Sequence, residues 1–253
     1  MKYLAEMTCA EVRAMGKDAV VILPVGAIEA HGPHLPLQTD VIIARAMAAA
    51  GARALLASGF SDVVIAPPLQ WTSAGFASGF AGTLSLSPAT VTAILVDAAL
   101  SLHRAGFAHI IVANSHLDPA HIASLHEGVR AAQEQHGVAI TFPDITRKPW
   151  ALRLTAEFKS GACHAGQFET SIVMAERPDL VRESIRVALE PNPRSLSQAI
   201  KEGKKTFEEA GGPSAYFGFP RGASDEEGRE TIATLGAILA DALVAARRPD
   251  KGE

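Results

Sequence analysis

The stretch Glu29-Ala-His31-Gly-Pro-His34-Leu-Pro-Leu-Gln-Thr-Asp40 places two carboxylates and two imidazoles directly after the apolar run Ala19–Val25. In an extended segment, side chains two apart point the same way. Glu29 and His31 can therefore converge on one point, and Asp40 can return to it after the proline-stiffened turn. Hard carboxylate oxygens mixed with imidazole nitrogens suit Zn²⁺ or Mn²⁺. The stretch is expected to support metal-dependent chemistry at the exit of a buried strand. His34 is expected to hold the structure behind the ligands rather than to be one.

Such a motif needs a frame. Short β-branched runs at Ala19–Val25, Asp62–Ala66, His109–Ala113 and Val138–Phe142 alternate with helical patterns. Each run is apolar on both faces, as parallel strands buried between helices are. A helix is predicted at Pro88–Arg104, with Ser87 as N-cap, Pro88 where no helical N–H is needed, and an apolar stripe of Val91, Ile94, Leu95, Ala98 and Leu102. Another starts at Ser224, where Glu227 would complete a capping box. Its buried face is Ile232, Leu235, Leu239 and Leu243, and Arg247 and Arg248 suit its negative end. Further helices are expected near Val41–Ala57, Ala120–His136 and Glu169–Glu176. This order predicts a three-layer α/β/α fold around a mostly parallel sheet, as one domain spanning 1–253. Ligands of such sheets bind beyond the carboxyl ends of the strands. Glu29 and His31 follow the first run, and Asn114-Ser-His116-Leu-Asp118 follows the third, so their side chains can meet.

Composition narrows the function. The chain has 253 residues, 48% hydrophobic, with a formal net charge of −4, and this excludes a nucleic-acid footprint. No apolar run approaches a membrane span, and the first residues carry acids and lack a signal core. Two cysteines, Cys9 and Cys163, give no disulfide framework, so a cytoplasmic location is expected. Cys163 adjoins His164, but metal-assisted hydrolysis needs no thiol nucleophile. His103, His109, His121, His126 and His136 read as ordinary helical or strand-edge residues.

Three segments now offer ligands: Glu29/His31/Asp40, His116/Asp118, and His164-Ala-Gly-Gln-Phe-Glu169-Thr-Ser. With Leu4-Ala-Glu-Met-Thr, Gly82-Thr-Leu-Ser-Leu-Ser and Phe217-Gly-Phe-Pro-Arg-Gly-Ala-Ser-Asp-Glu-Glu-Gly, they occur in an order that resembles the creatininase (creatinine amidohydrolase) family of binuclear metal amide hydrolases. Val25–Asp40 matches the family signature, and Leu4–Thr8 looks like its opening helix.

The resemblance implies that Glu29 and His116 bind one metal, that His31 binds the other, and that Asp40 bridges both. For the remaining carboxylate it offers two places, Asp118 and Glu169. Glu169 is preferred because Asp118 is shorter than the family's glutamate there, while Asp118 stays a candidate ligand or base and could equally cap the helix after it. His164 resembles the family's proton-transfer histidine. The implied cofactors are two divalent ions, Zn and/or Mn. They would acidify a bridging water and polarise a carbonyl, so that hydroxide cleaves the C–N bond of a small amide such as a lactam, cyclic urea or creatinine. A leaving nitrogen must be protonated, which an imidazole can do. The resemblance also implies a small-molecule substrate and a homo-oligomer, a hexamer in the family. A formamide hydrolase, a small peptidase and a metal-stabilised binding protein without turnover remain open. The substrate loops depart from the family: Ala77 stands where many members have histidine, Ala81 replaces a proline, and Leu117-Asp118-Pro119-Ala120 replaces a glycine-rich stretch. Trp150 could supply an aromatic wall, and Trp71 and Phe76 could line a pocket or pack a loop.

Overall fold

A computed structural model describes residues 1–247. Arg248 and the end of the 1–253 span lie outside the described residues. Five strands, β1 (Lys2–Tyr3), β2 (Val20–Val25), β3 (Val63–Ile65), β4 (His109–Asn114) and β5 (Ile140–Thr141), form one sheet in the order β1-β3-β2-β4-β5. Every pairing is parallel. The four predicted runs are β2 to β5. The edge strand β1 is two residues long, too short for a period to show.

The five longer helices are α1 (Thr39–Ala57), α2 (Pro88–Arg104), α3 (Pro119–His136), α4 (Gln167–Glu176) and α5 (Asp225–Ala246). Alternate residues of the strands face opposite layers, as the pleat requires. Val20, Ile22, Ile65 and Ile111 pack with Ile43 and Met47 of α1, Ile172 of α4 and Leu235 and Leu239 of α5. Val21, Leu23, Val64 and Val112 pack with Leu95 and Ala99 of α2 and Leu125 of α3. This is the expected three-layer arrangement. The α1–α5 crossing is tight, since a Cβ on Gly236 would lie 2.6 Å from the Ala50 carbonyl carbon.

The helix ends follow local chemistry. Ser87 accepts the Thr90 N–H, and the buried stripe of α2 is Val91, Leu95, Ala99 and Leu102, rotated slightly from the predicted one. Ser224 accepts the Glu227 N–H, but Glu227 does not close the reciprocal bond; its carboxylate takes Gln167 Nε2–H instead. All four predicted core residues of α5 are buried. In the segment likened to an opening helix, Leu4–Glu6 forms a 3₁₀ turn, and an α-helix begins at Cys9, where Thr8 and Glu11 form a full capping box. No helix among the described residues is long and apolar enough to cross a membrane.

Candidate metal centre

The topology opens a crevice at β2, where the direction of strand addition reverses. The β2–α1–β3 unit steps to one side of β2, and the next crossover brings β4 to its other side. Ligand sites of open parallel sheets sit at such switch points. The segment after β2 is held there by backbone contacts. A Cβ on Gly26 would come within 2.7 Å of the Asp40 carbonyl carbon and Val41 N, so glycine lets the strand exit lie directly on the first turn of α1. Ser115 Oγ donates to the Asp40 carbonyl at 2.6 Å, tying the β4 exit to the same turn. The Glu29 N–H meets the Leu37 carbonyl at 3.0 Å and closes the intervening loop. Thr83 Oγ accepts the Ala30 N–H at 3.2 Å and braces that loop.

Glu29, His31, Asp40, His116, His164 and Glu169 meet in this crevice, all buried. Asp40 is central: its Oδ1 lies 3.2 Å from His31 Nε2 and its Oδ2 lies 3.0 Å from His116 Nδ1. Glu29 Oε1 is 3.3 Å from His116 Nδ1 and 3.9 Å from both His31 Nε2 and His164 Nδ1. Glu169 Oε2 is 3.6 Å from His31 Nε2. Two of the ligand groupings, Glu29/Asp40/His116 and His31/Asp40/Glu169, share Asp40, and a third is Glu29/His31/His164.

Each imidazole is oriented by a main-chain carbonyl. His31 Nδ1 bonds the Glu29 carbonyl at 3.1 Å, His116 Nε2 the Ser73 carbonyl at 2.8 Å, and His164 Nε2 the Ala30 carbonyl at 2.9 Å. A carbonyl only accepts, so the bonded nitrogen carries the proton and the other nitrogen faces the centre. Glu169 sits in the first turn of α4, where Gly166 offers no capping side chain. Its Oε2 turns back to the Ala165 N–H at 2.6 Å. Ala165 has φ +50°, a left-handed conformation unusual for a residue with a Cβ, and here it aims that N–H at the carboxylate.

The electrostatics fit a cation site. Burial opposes a charge on His31, yet Asp40, Glu169 and Glu29 outweigh it and raise His31 to about 10. Burial likewise opposes a charge on His116, and Glu29 and Asp40 raise it well above the ordinary range. Glu169 is pushed up to about 8, first by burial and then by its carboxylate neighbours. The cluster thus gathers protons to offset three buried carboxylates. Glu29 Oε2, His31 Nε2 and Asp40 Oδ2 are buried without a hydrogen-bond partner among the described residues. Buried polar atoms are rarely left so, and an ion is one explanation. Oxygen and imidazole donors of this kind suit Zn²⁺ or Mn²⁺.

The other predicted residues fall in different places. Asp118 N-caps α3: Oδ1 accepts the Ala120 and His121 N–H groups at 2.8 and 3.3 Å, and Oδ2 accepts the Phe76 N–H at 3.1 Å. It lines the pocket but belongs to none of the ligand groupings. His34 lies behind the centre, with Nε2 2.9 Å from Thr170 Oγ. Burial, mainly, holds the Cys163 thiol up at about 12, so it stays protonated at neutral pH and is a poor nucleophile. Phe76 lines the pocket, whereas Trp71 is exposed and Trp150 packs against the hydrophobic core.

Two residues escaped the sequence reading. His121 is fully buried and bonds Asn114 Oδ1 at 2.9 Å, while Asn114 Nδ2 donates to the His116 carbonyl at 2.7 Å. Its i+5 spacing from His116 was the available signal. Phe207 stacks on His164 with ring centroids 4.2 Å apart, and it lies in a segment with no periodicity to flag it.

Fold and site together define an α/β/α protein with a buried carboxylate–imidazole centre at its strand ends. A family profile described as creatinine amidohydrolase matches residues 5–243, and the chain belongs to the creatininase family. It is a metal-dependent hydrolase acting on C–N bonds. The mycofactocin precursor peptide peptidase of Mycolicibacterium smegmatis is 32% identical over 160 residues, covering 63% of this chain and 59% of that protein. The creatinine amidohydrolase of Pseudomonas putida is 30% identical over 188 residues, covering 68% and 69%. A solved structure of creatininase with Mn is 26% identical with a TM-score of 0.75, covering 98% of this chain and 99% of that one.

Proposed function

We propose that the protein hydrolyses the C–N bond of a small amide, cyclic amides included, at a centre of two divalent cations, Zn or Mn. Glu29, Asp40 and His116 would hold one cation, and His31, Asp40 and Glu169 the other. The observation that carries this reading is Asp40, whose two oxygens face two differently oriented imidazoles at 3.2 and 3.0 Å. When bound, such a pair of cations supplies an acidified water and a polarised carbonyl.

The chain's own residues then move the proton. His164 donates Nε2–H to Ala30, which leaves Nδ1 open towards the centre. Burial, and then the charge on His31, hold His164 well below its ordinary pKa, so it rests neutral with Nδ1 free to accept. Nδ1 takes the proton that the attacking water sheds and passes it to the leaving nitrogen, a poor anion that cannot depart unprotonated. The rings of Phe207 and His31, with centroids 4.2 and 4.4 Å away, pack against it and restrict its plane. Asp118, with both oxygens on backbone N–H groups, holds the Phe76 loop against the start of α3.

Metal analysis combined with a screen of lactams, cyclic ureas, formamides and short peptides tests this reading. Two divalent ions per chain and amide turnover are expected. A single tightly held ion without turnover would instead indicate a binding protein.

Peptide hydrolysis is a second reading with an observation of its own. Leu117, Pro119, Cys163, Leu196 and Ile200 line both the inner pocket and a larger cleft outside it. A chain-like substrate could therefore run outward from the centre.

A further inference from the structure

The inner pocket is about 40 Å³, room for roughly three water molecules. It can hold the reacting group but little else of a substrate. The adjoining cleft is about 840 Å³, within the range that takes drug-sized ligands. Its floor is apolar, formed by Ile122, Ala151, Phe158, Leu196 and Ile200. The charges around it have one sign: Arg147, Lys148, Lys159 and Lys201 line it, and no Asp or Glu among the described residues does. Arg147 is paired with buried Asp144 at 3.1 Å, and Asp144 also holds His126 at 2.8 Å. Lys148, Lys159 and Lys201 form no ion pair among the described residues. These lysines come from three separate segments, yet the fold brings them around one cleft in a chain whose net charge is −4.

A crevice with an acidic end and a basic end orients what enters it. The carboxylates at the inner end repel an anion unless cations are bound there, while the lysines at the outer end attract one. We infer that the outer cleft is a substrate subsite for an apolar, peptide-like arm ending in a carboxylate, which the lysines hold while the scissile amide reaches the centre. The inference rests on the hydrolase reading for what happens at the inner end, but the charge preference of the cleft stands apart from turnover.

The test uses two probes that differ only in terminal charge, N-acetyl-trialanine and its C-terminal amide. Their dissociation constants are measured by calorimetry on Mn-loaded His164→Ala protein, and their hydrolysis on Mn-loaded wild type. The carboxylate is expected to bind about tenfold more tightly than the amide. That preference should disappear in the triple variant Lys148→Ala/Lys159→Ala/Lys201→Ala and in 1 M salt, where screening acts within about 3 Å. Lys159→Glu/Lys201→Glu should reverse it. All of these side chains are exposed, so the variants should fold. Equal binding of the two probes overturns the inference. So does a preference that survives the triple variant, because the carboxylate would then be sitting on the cations. If the charge preference holds but wild type hydrolyses neither probe nor any amide, the hydrolase reading falls and the subsite stands. If both probes are hydrolysed with equal kcat/KM and bind alike, the hydrolase reading stands and the subsite falls.

Discussion

The inner centre and the outer cleft are neighbours built on opposite principles. In the centre, each imidazole is locked by a main-chain carbonyl, and each carboxylate comes from a strand exit or a helix first turn. Nothing there depends on a long, mobile side chain. The cleft is walled by short turns and helices, and its charges ride on exposed lysines. Rigid backbone sets the chemistry because a ligand shell tolerates little displacement. Flexible cations suffice for selection because charge attraction needs no exact angle.

The strongest way to break this contrast is at Asp40. If it serves two cations, Asp40→Asn should lower metal content from two ions per chain and abolish turnover, with a loss exceeding that of any proton-transfer variant. Atomic absorption and amide turnover measured together check this. Retention of both ions in Asp40→Asn would remove the shared-ligand geometry from the mechanism. His164→Ala should lose less, about 10²- to 10⁴-fold in kcat, while keeping both ions. Loss of an ion in that variant would make His164 a ligand, consistent with the Glu29/His31/His164 grouping, rather than the proton carrier.

A smaller effect is expected one layer out. Asn114 fixes the His116 backbone, and His121 fixes Asn114 and lies against the His116 ring, with centroids 4.8 Å apart. Asn114→Ala should weaken metal binding by roughly 10- to 100-fold, the usual cost of losing an orienting group, with kcat nearly intact at saturating metal. An unchanged metal affinity would mean that the strand end alone positions His116.

The same contrast explains what could be read in advance. Strands β2 to β5 announced themselves because parallel strands buried between helices are apolar on both faces, and Ala19–Val25 is. Helix starts such as Ser87-Pro88 were legible because caps are local chemistry. The cluster was legible in outline because Glu29, His31 and Asp40 are close in sequence and the family pattern supplied His116, His164 and Glu169. Asp118 was ambiguous for a physical reason: one carboxylate at a helix start can cap the helix or bind an ion, and only geometry shows that both of its oxygens meet N–H groups. The cleft was invisible. Lys148, Lys159 and Lys201 become neighbours only through the fold, and exposed lysines carry no pattern. His121 was misread as ordinary because burial of a helical histidine depends on what packs behind it.

The mildest effect should appear as a dependence of stability on pH, and its sign is fixed by the centre. In the metal-free protein the folded pKa of His31 is raised from 6.5 to about 10 and that of Glu169 from 4.5 to about 8. His116 shifts in the same sense. A raised folded pKa means protons are bound on folding. The stability it contributes is complete below the unfolded value and is lost as pH rises through the folded one. The depressed histidines, His34, His109, His121 and His164, oppose this only below about pH 6.5, where their unfolded forms begin to charge. Chelated protein should therefore melt at progressively lower temperature from pH 7 to pH 9.5, by several degrees, since about 1 kcal/mol moves Tm by roughly 2–4 °C in a chain of this size. Cations replace those protons and bind more tightly as the competition weakens. The Tm gap between Mn-loaded and chelated protein should widen over the same range. A gap that stays constant or narrows would show that protons and metal do not compete for these carboxylates. The charge that stabilises the inner centre would then have to come from elsewhere in the crevice.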